Sequence, residues 1–476
     1  MDSSADSRTE ARVSAPQPAE NAAKTEAAPP QARPPKKDKH LYQIDLIRLV
    51  TFAGVVLDHV ILAITTNAEI VAQGIGLLLR YTRYCFFALT GFVLTYQYRH
   101  RELDAPTFWR RRFKLIGLPF LTWSLFYWFF NRWRHGSWGA ITAAFSDLAA
   151  IAESFKSIAY DLLTGNATYH LYFLSVSMQI YLVFPFVLWL LRRTVGYHRY
   201  LLAASLTIHL WLLYHRVRPP LELFADGIPN FVWRNIGITL MPYQFFILAG
   251  CLAAFHFEAF TAFMKRWRWP LGIASVVAIV ATLVYYDVLV GRGEEVFRAT
   301  NVFMPHNMFA FLGIIVLLWI GGVAWQNRRT PKSIPDQLMA KASDRSFGIY
   351  LAHVTAIFAV TPMFKSSGIG IGWQVFVMYL LVCVLTVFLV EILRLSPFSL
   401  ITTGRNRIDW RTQNPRKQSA VAAAAIVVGV GIQWLTGQGA GAFLAGCGLI
   451  LLIGASAVLR KQRTEPYEPL ESKASA

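Results

Sequence analysis

Residues Ile44 to Thr66 read IDLIRLVTFAGVVLDHVILAITT, an apolar run long enough for one bilayer-crossing helix. Inside it stand Arg48 and His59, with Asp45 three residues before the arginine. An ionisable group at the centre of a membrane helix costs roughly 3 kcal/mol or more, so such residues mark function by default. Their spacing adds to this. Eleven steps of about 100° make about three turns, which puts Arg48 and His59 on one helix face, roughly 16 Å apart along the axis. Asp45 falls near the same stripe.

The rest of the chain is of the same kind. It has 476 residues, 55% hydrophobic and 15% charged, with a mean hydropathy of +0.40. Soluble domains carry about 25% charged residues, so the composition is that of a polytopic membrane protein. Fifteen Trp, 19 Tyr and 34 Phe agree, because aromatic rings gather at bilayer interfaces. The net charge of +19 does not require a nucleic-acid partner, since membrane proteins concentrate Lys and Arg in cytoplasmic loops. Cys85, Cys251, Cys383 and Cys447 all fall in apolar segments without metal-ligand spacing, and read as small core residues. Neither a disulfide nor a metal site is expected.

Apolar runs of spanning length lie near 44–66, 75–97, 113–130, 170–191, 199–215, 238–256, 270–290, 307–325, 346–361, 373–393, 418–436 and 440–459. The expected fold is therefore an all-α bundle of about twelve transmembrane helices, ten forming a core and two added at the C-terminus. With the N-terminus inside, the cytoplasmic segments hold 31 Lys and Arg and the outer loops hold 9. That bias predicts both termini in the cytoplasm. Residues 1–40 are rich in Ala, Pro, Ser, Glu and Lys and read as a disordered cytoplasmic arm. They have no apolar core of a signal peptide. A basic linker is expected over 401–417 and a cytoplasmic tail over 460–476. The outer loop 131–169 contains an amphipathic stretch, Gly139 to Leu163, suited to lying at the interface or over the bundle.

Five segments, in order, resemble the acyltransferase-3 family of integral membrane acyltransferases. The first is the Asp45–Arg48–His59 span. The second is Phe86-Phe87-Ala88-Leu89-Thr90-Gly91-Phe92, similar to an aromatic segment ending in Ser-Gly-Phe. The third is Arg110-Arg111-Arg112-Phe113-Lys114 leading to Pro119, similar to a basic loop before a proline. Tyr169-His170-Leu171-Tyr172-Phe173-Leu174 and Ser346-Phe347-Gly348-Ile349-Tyr350-Leu351-Ala352-His353 complete the set. Three details depart from the family pattern. Lys114 stands where a second Arg of an Arg-x-x-Arg pair is usual, which keeps the charge and loses the bidentate fork. Thr90 replaces a Ser, and Asp58 precedes His59 where an apolar residue is common.

The resemblance implies an acyltransferase domain over 41–400. It would move an acyl group, usually acetyl, from cytoplasmic acyl-CoA to a hydroxyl of a glycan, a lipid-linked glycan or another acceptor, often on the far membrane face. Acyl-CoA is then a co-substrate and no bound cofactor is implied. The expected location is the cell membrane, as a multi-pass protein. His59 is the candidate base or acyl relay, imidazole being the side chain suited to proton transfer near neutral pH; a buried structural histidine is the plain alternative. Arg48 would bind a CoA phosphate or steady the thioester oxyanion, or pair with Asp45, which orients it. Arg111 and Lys114, with Arg110 and Arg112, would hold the donor's phosphates; the same cluster also serves as a topology signal. Tyr169 and His170 would touch the acceptor or anchor the interface. Ser346, Tyr350 and His353 share a stripe, so His353 would sit at mid-depth near His59. A glycan or lipid exporter is the rival reading, but no internal repeat of the kind transporters show is visible in the sequence.

Overall fold

The structure is a computed structural model and describes residues 40–218, 221–224, 226–364 and 368–464. The expected N-terminal arm, apart from His40, and the tail beyond Thr464 lie outside the described residues. Among those described, every regular element is a helix. Ten helices are long and apolar enough to cross a membrane, or eleven if one bent pair counts as a span.

The first is α1 (Tyr42–Ile64). The second span is built from α2 (Ile70–Leu79) and α3 (Tyr81–Tyr98), interrupted at Arg80. Next comes α4 (Ala105–Ala143), which starts well before the apolar run and takes in the whole arginine cluster. Asp104 explains that start: its side chain accepts the Thr107 N–H at 3.1 Å, and a proline sits in the first turn. Hydrogen bonding from Thr107 holds the Asp104 carboxyl below its ordinary range. The helix breaks at Gly136–Ser137, where Ser137 has a φ of 56°. The amphipathic stretch beyond it forms α5 (Leu148–Thr164), ended by Gly165 at a φ of 76°. A side chain there would run into the Tyr172 backbone.

The chain continues through α6 (Tyr172–Arg193) and α7 (His198–Arg216). Helix α7 has 19 residues and covers the expected fifth span, but is not among the helices apolar enough to cross. Short α8 (Gly227–Arg234) leads to α9 (Gln244–Phe255) and α10 (Phe257–Arg266), which meet at a 98° bend beside His256. Then follow α11 (Arg268–Gly291), the single turn α12 (Val296–Ala299), α13 (Asn307–Arg328) and α14 (Ile334–Val360). The chain ends with α15 (Ile371–Leu395), short α16 (Ser399–Thr403), α17 (Pro415–Thr436) and α18 (Gly439–Thr464).

Helix α1 is the hub, packed against α2, α3, α13, α14 and α15. In the α2–α3 span and in α14, 61% of the apolar window is buried inside the protein, against 11% in α17. The costly polar groups of α1 are therefore enclosed by other helices. The α3–α9 crossing is close because Gly91 and Gly250 face it; a side chain on either would strike the opposing carbonyl, of Ile247 or Ala88. Small residues that let backbones approach are the usual means of helix association in lipid. Helices α17 and α18 form a hairpin on the same principle, through Gly429, Gly441 and Gly448, and rest on α14 and α15. Cys85, Cys251 and Cys447 are buried and Cys383 is half-buried.

Candidate active site

Two cavities meet across the α1 stripe. The one on the side that the loop charges predict to be cytoplasmic, called the inner cavity, has about 290 Å³ and holds Arg48, Arg112, Ser343, Ser346 and Arg405. The outer one, about 390 Å³, holds His59, Asp58, Arg80, Arg83, His170 and Tyr350. Phe86 and Phe173 line both. With Phe52 they form an aromatic septum: the Phe52 and Phe86 rings lie 4.4 Å apart and those of Phe86 and Phe173 5.5 Å apart. The one-helix spacing of Arg48 and His59 thus becomes one residue in each chamber.

In the outer chamber His59 Nδ1 lies 2.7 Å from His353 Nε2, with the two rings nearly parallel. The direction of this bond follows from the far side of His353. Its Nδ1 is 2.7 Å from the Tyr350 carbonyl and 3.3 Å from that of Ile349. Carbonyls only accept, so His353 Nδ1 carries the proton. Neutral His353 then offers a lone pair at Nε2, and His59 Nδ1–H donates to it. The remaining nitrogen of His59, Nε2, is left with its lone pair and makes no hydrogen bond among the described residues. An imidazole oriented through one nitrogen and basic at the other is the arrangement that base and nucleophile catalysis requires.

The other expected acceptor residues gather here in part. His170 is 1% exposed, its ring 5.1 Å from that of His353 and 6.4 Å from that of His59. Neither of its ring nitrogens makes a hydrogen bond among the described residues. The Tyr350 hydroxyl donates to the His170 carbonyl, which fixes the head of α6 against α14. Tyr127 braces the same helix through Leu351 O and Thr355 Oγ1, both at 3.1 Å. Tyr169 is about half exposed and meets His59 edge-on at 4.8 Å. Ser346 does not join them. It lines the inner cavity and donates to Ser343 O, although it shares a helical stripe with Tyr350 and His353.

In the inner chamber Arg48 Nη1 is 3.4 Å from Ser343 Oγ and 3.9 Å from Asp45 Oδ1. Ser343 Oγ donates to Asp45 Oδ1 at 2.9 Å, so the carboxylate and the serine together orient the guanidinium. Of the basic cluster, Arg112 lines the cavity, its Nη2 donating to Gln97 Oε1 at 2.9 Å. Arg110, Arg111 and Lys114 are exposed outside it. Arg405, from the linker, completes the lining. Sequence reading had not singled out Arg405, Ser343, Arg80 or Arg83. The signal for Arg80 and Arg83 was present, as two cations inside an apolar span.

Residues 41–394 match the family model described as an acyltransferase domain. The chain therefore belongs to the acyltransferase-3 family of membrane acyltransferases. Neither a curated protein nor a solved structure matches it.

Proposed function

We propose that this protein is an O-acyltransferase, taking an acyl group from acyl-CoA at the inner cavity and delivering it to a hydroxyl held in the outer one. The observation that carries the reading is the His59–His353 pair, with the basic nitrogen of His59 directed to a cavity rather than to protein. In the direct form, the acceptor hydroxyl loses its proton to His59 Nε2 while its oxygen attacks the thioester carbonyl. The C–S bond breaks, and the proton passes to the departing thiolate of CoA. In the relay form, His59 Nε2 attacks the thioester carbonyl and the C–S bond breaks, releasing CoA as thiolate. The hydroxyl oxygen then attacks the acyl-imidazolium, the C–N bond breaks, and the freed Nε2 takes the hydroxyl proton, which returns to the thiolate. The septum of Phe52, Phe86 and Phe173 separates the two chambers, so in either form the thioester must pass between these rings to reach His59. Arg48, held by Asp45 and Ser343, faces the developing thioester oxyanion or a CoA phosphate. Arg112 and Arg405 face the remaining phosphates.

The sidedness of the loops supports this direction. Arg112, Ser343 and Arg405 come from segments whose Lys and Arg content assigns them to the cytoplasm. Tyr169, Arg216 and Phe297 come from segments poor in basic residues. Counting the bent pair and also α7 as spans would give the expected twelve, an even number that puts both termini on one side, which the loop charges make the cytoplasmic one. Acetyl is the expected group and the cell membrane the expected location.

The test is His59→Ala in purified protein with radiolabelled acetyl-CoA and an extract of cell-envelope glycans and lipids. The variant is expected to reach the membrane and to transfer no label. Wild-type transfer by His59→Ala would end the reading. A wild-type protein that moves glycan across vesicles without forming an ester would favour the exporter.

A further inference from the structure

The outer cavity contains more positive charge than acyl transfer needs. Arg80, Arg83 and Arg216 all line it, against one carboxylate, Asp58. None of the three arginines is ion-paired among the described residues. Arg83 lies over the Tyr172 ring at 5.7 Å and Arg216 over the Phe303 ring at 5.6 Å, so aromatic walls hold their planes in place. Arg80 is 8% exposed and Asp58 5% exposed. Asp58 Oδ1 and Arg216 Nε are buried without a hydrogen-bond partner among the described residues. Topology does not account for this set. Arg80 and Arg83 sit within a span, where a cation is expensive, and Arg216 belongs to the side that is otherwise poor in basic residues. Three guanidinium groups and one carboxylate leave a surplus of two positive charges in a walled chamber. Such a surplus is stabilised by an anion that enters with the ligand. Planar guanidinium forks match the oxygens of a phosphate group.

We propose that the outer cavity takes an acceptor bearing a phosphate or diphosphate group, held by Arg80, Arg83 and Arg216 beside the hydroxyl it presents to His59. The hydroxyl part rests on the acyltransferase reading; the anion site does not. The phosphate comes either from a water-soluble sugar phosphate or from a lipid-carried one.

Inorganic pyrophosphate is titrated into full-length protein in phosphatidylcholine nanodiscs with CoA at saturation, which occupies the phosphate-binding arginines of the inner chamber. Arg83→Gln and Arg216→Gln are each expected to weaken its binding about 10- to 100-fold. Arg216 lies at the end of α7, so its variant keeps the test alive if Arg83→Gln does not fold. Arg48→Gln, in the other chamber, should leave the pyrophosphate affinity unchanged, and CoA affinity should be unchanged in Arg83→Gln and Arg216→Gln. Displacement of pyrophosphate by glucose 1-phosphate assigns the site to a soluble acceptor. Displacement by phosphatidic acid added to the nanodisc assigns it to a lipid-carried one. Absence of pyrophosphate binding, binding weakened by Arg48→Gln alone, or loss of CoA in place of pyrophosphate would overturn the proposal. Pyrophosphate bound as described by a protein that transfers no acyl group would refute the enzyme reading and leave the anion site standing.

Discussion

Replacing His353 by leucine tests the reasoning about the histidine pair at its centre. His353 is completely buried, so a leucine of similar size fills the space and the main change is the loss of the acceptor nitrogen. His59 Nδ1 then loses its 2.7 Å partner. A hydrogen bond broken on one side at a part-buried site costs about 1–3 kcal/mol. At 1.36 kcal/mol per tenfold, that is a fall of about 5- to 150-fold in the population of the productive His59 orientation and tautomer. The turnover number should drop by this factor, with the dissociation constant for acyl-CoA unchanged because the Arg48 chamber is untouched. His353→Gln restores an acceptor oxygen and should recover much of the loss. Steady-state kinetics at saturating donor, with membrane level and thermal stability as controls, give the answer. A His353→Leu protein that turns over at the wild-type rate, folded and at wild-type abundance, would refute the tautomer chain and leave His59 without its positioning residue.

Three further outcomes follow from the packing. Arg112→Gln should raise the Michaelis constant for acyl-CoA about tenfold or more, whereas Arg111→Gln with Lys114→Gln should raise it by less, since charge-assisted contacts matter most where they face the ligand; equal effects would show that the whole cluster acts through its field. Phe173→Ala removes part of the wall shared by the two cavities and should increase hydrolysis of acyl-CoA relative to transfer, read as free thiol released without ester formed. An unchanged ratio would mean that the septum does not separate the chambers. Gly250→Leu forces a side chain into the Ala88 carbonyl and should destabilise the protein by about 1–3 kcal/mol or prevent its accumulation; a normal melting temperature in detergent would show that α3 and α9 can part without penalty.

Much of this protein is local and was legible in the sequence. Hydrocarbon demands long apolar helices, so ten of the expected spans, or eleven with the bent pair, could be placed from composition alone. The expected fifth formed α7, which is not apolar enough to count as one. The one helical repeat of α1 put Arg48 and His59 on a common face. Charge asymmetry between loops predicts which side of the membrane each loop faces. The basic loop illustrates where such reading ends. Asp104 starts α4 early enough to make Arg110 to Lys114 helical, so only one side chain of that cluster reaches the cavity and the others turn away. The late stripe behaves likewise. Ser346, Tyr350 and His353 share a face of α14, yet the septum divides them, leaving Ser346 in one chamber and Tyr350 in the other.

What the sequence determined by itself are properties set within one helix or by solvent: which segments leave water, which residues share a face, and which loops are basic. What the tertiary structure alone decided are meetings between distant residues. His59 and His353 are 294 residues apart and 2.7 Å from nitrogen to nitrogen. Arg80 and Arg83 join Arg216 around one cavity although no local pattern links them. The physical reason is that helix periodicity fixes direction only relative to its own axis. Which way each axis is rotated is set by the close contacts between helices, such as Gly91 and Gly250, and these are made only when the whole bundle has assembled.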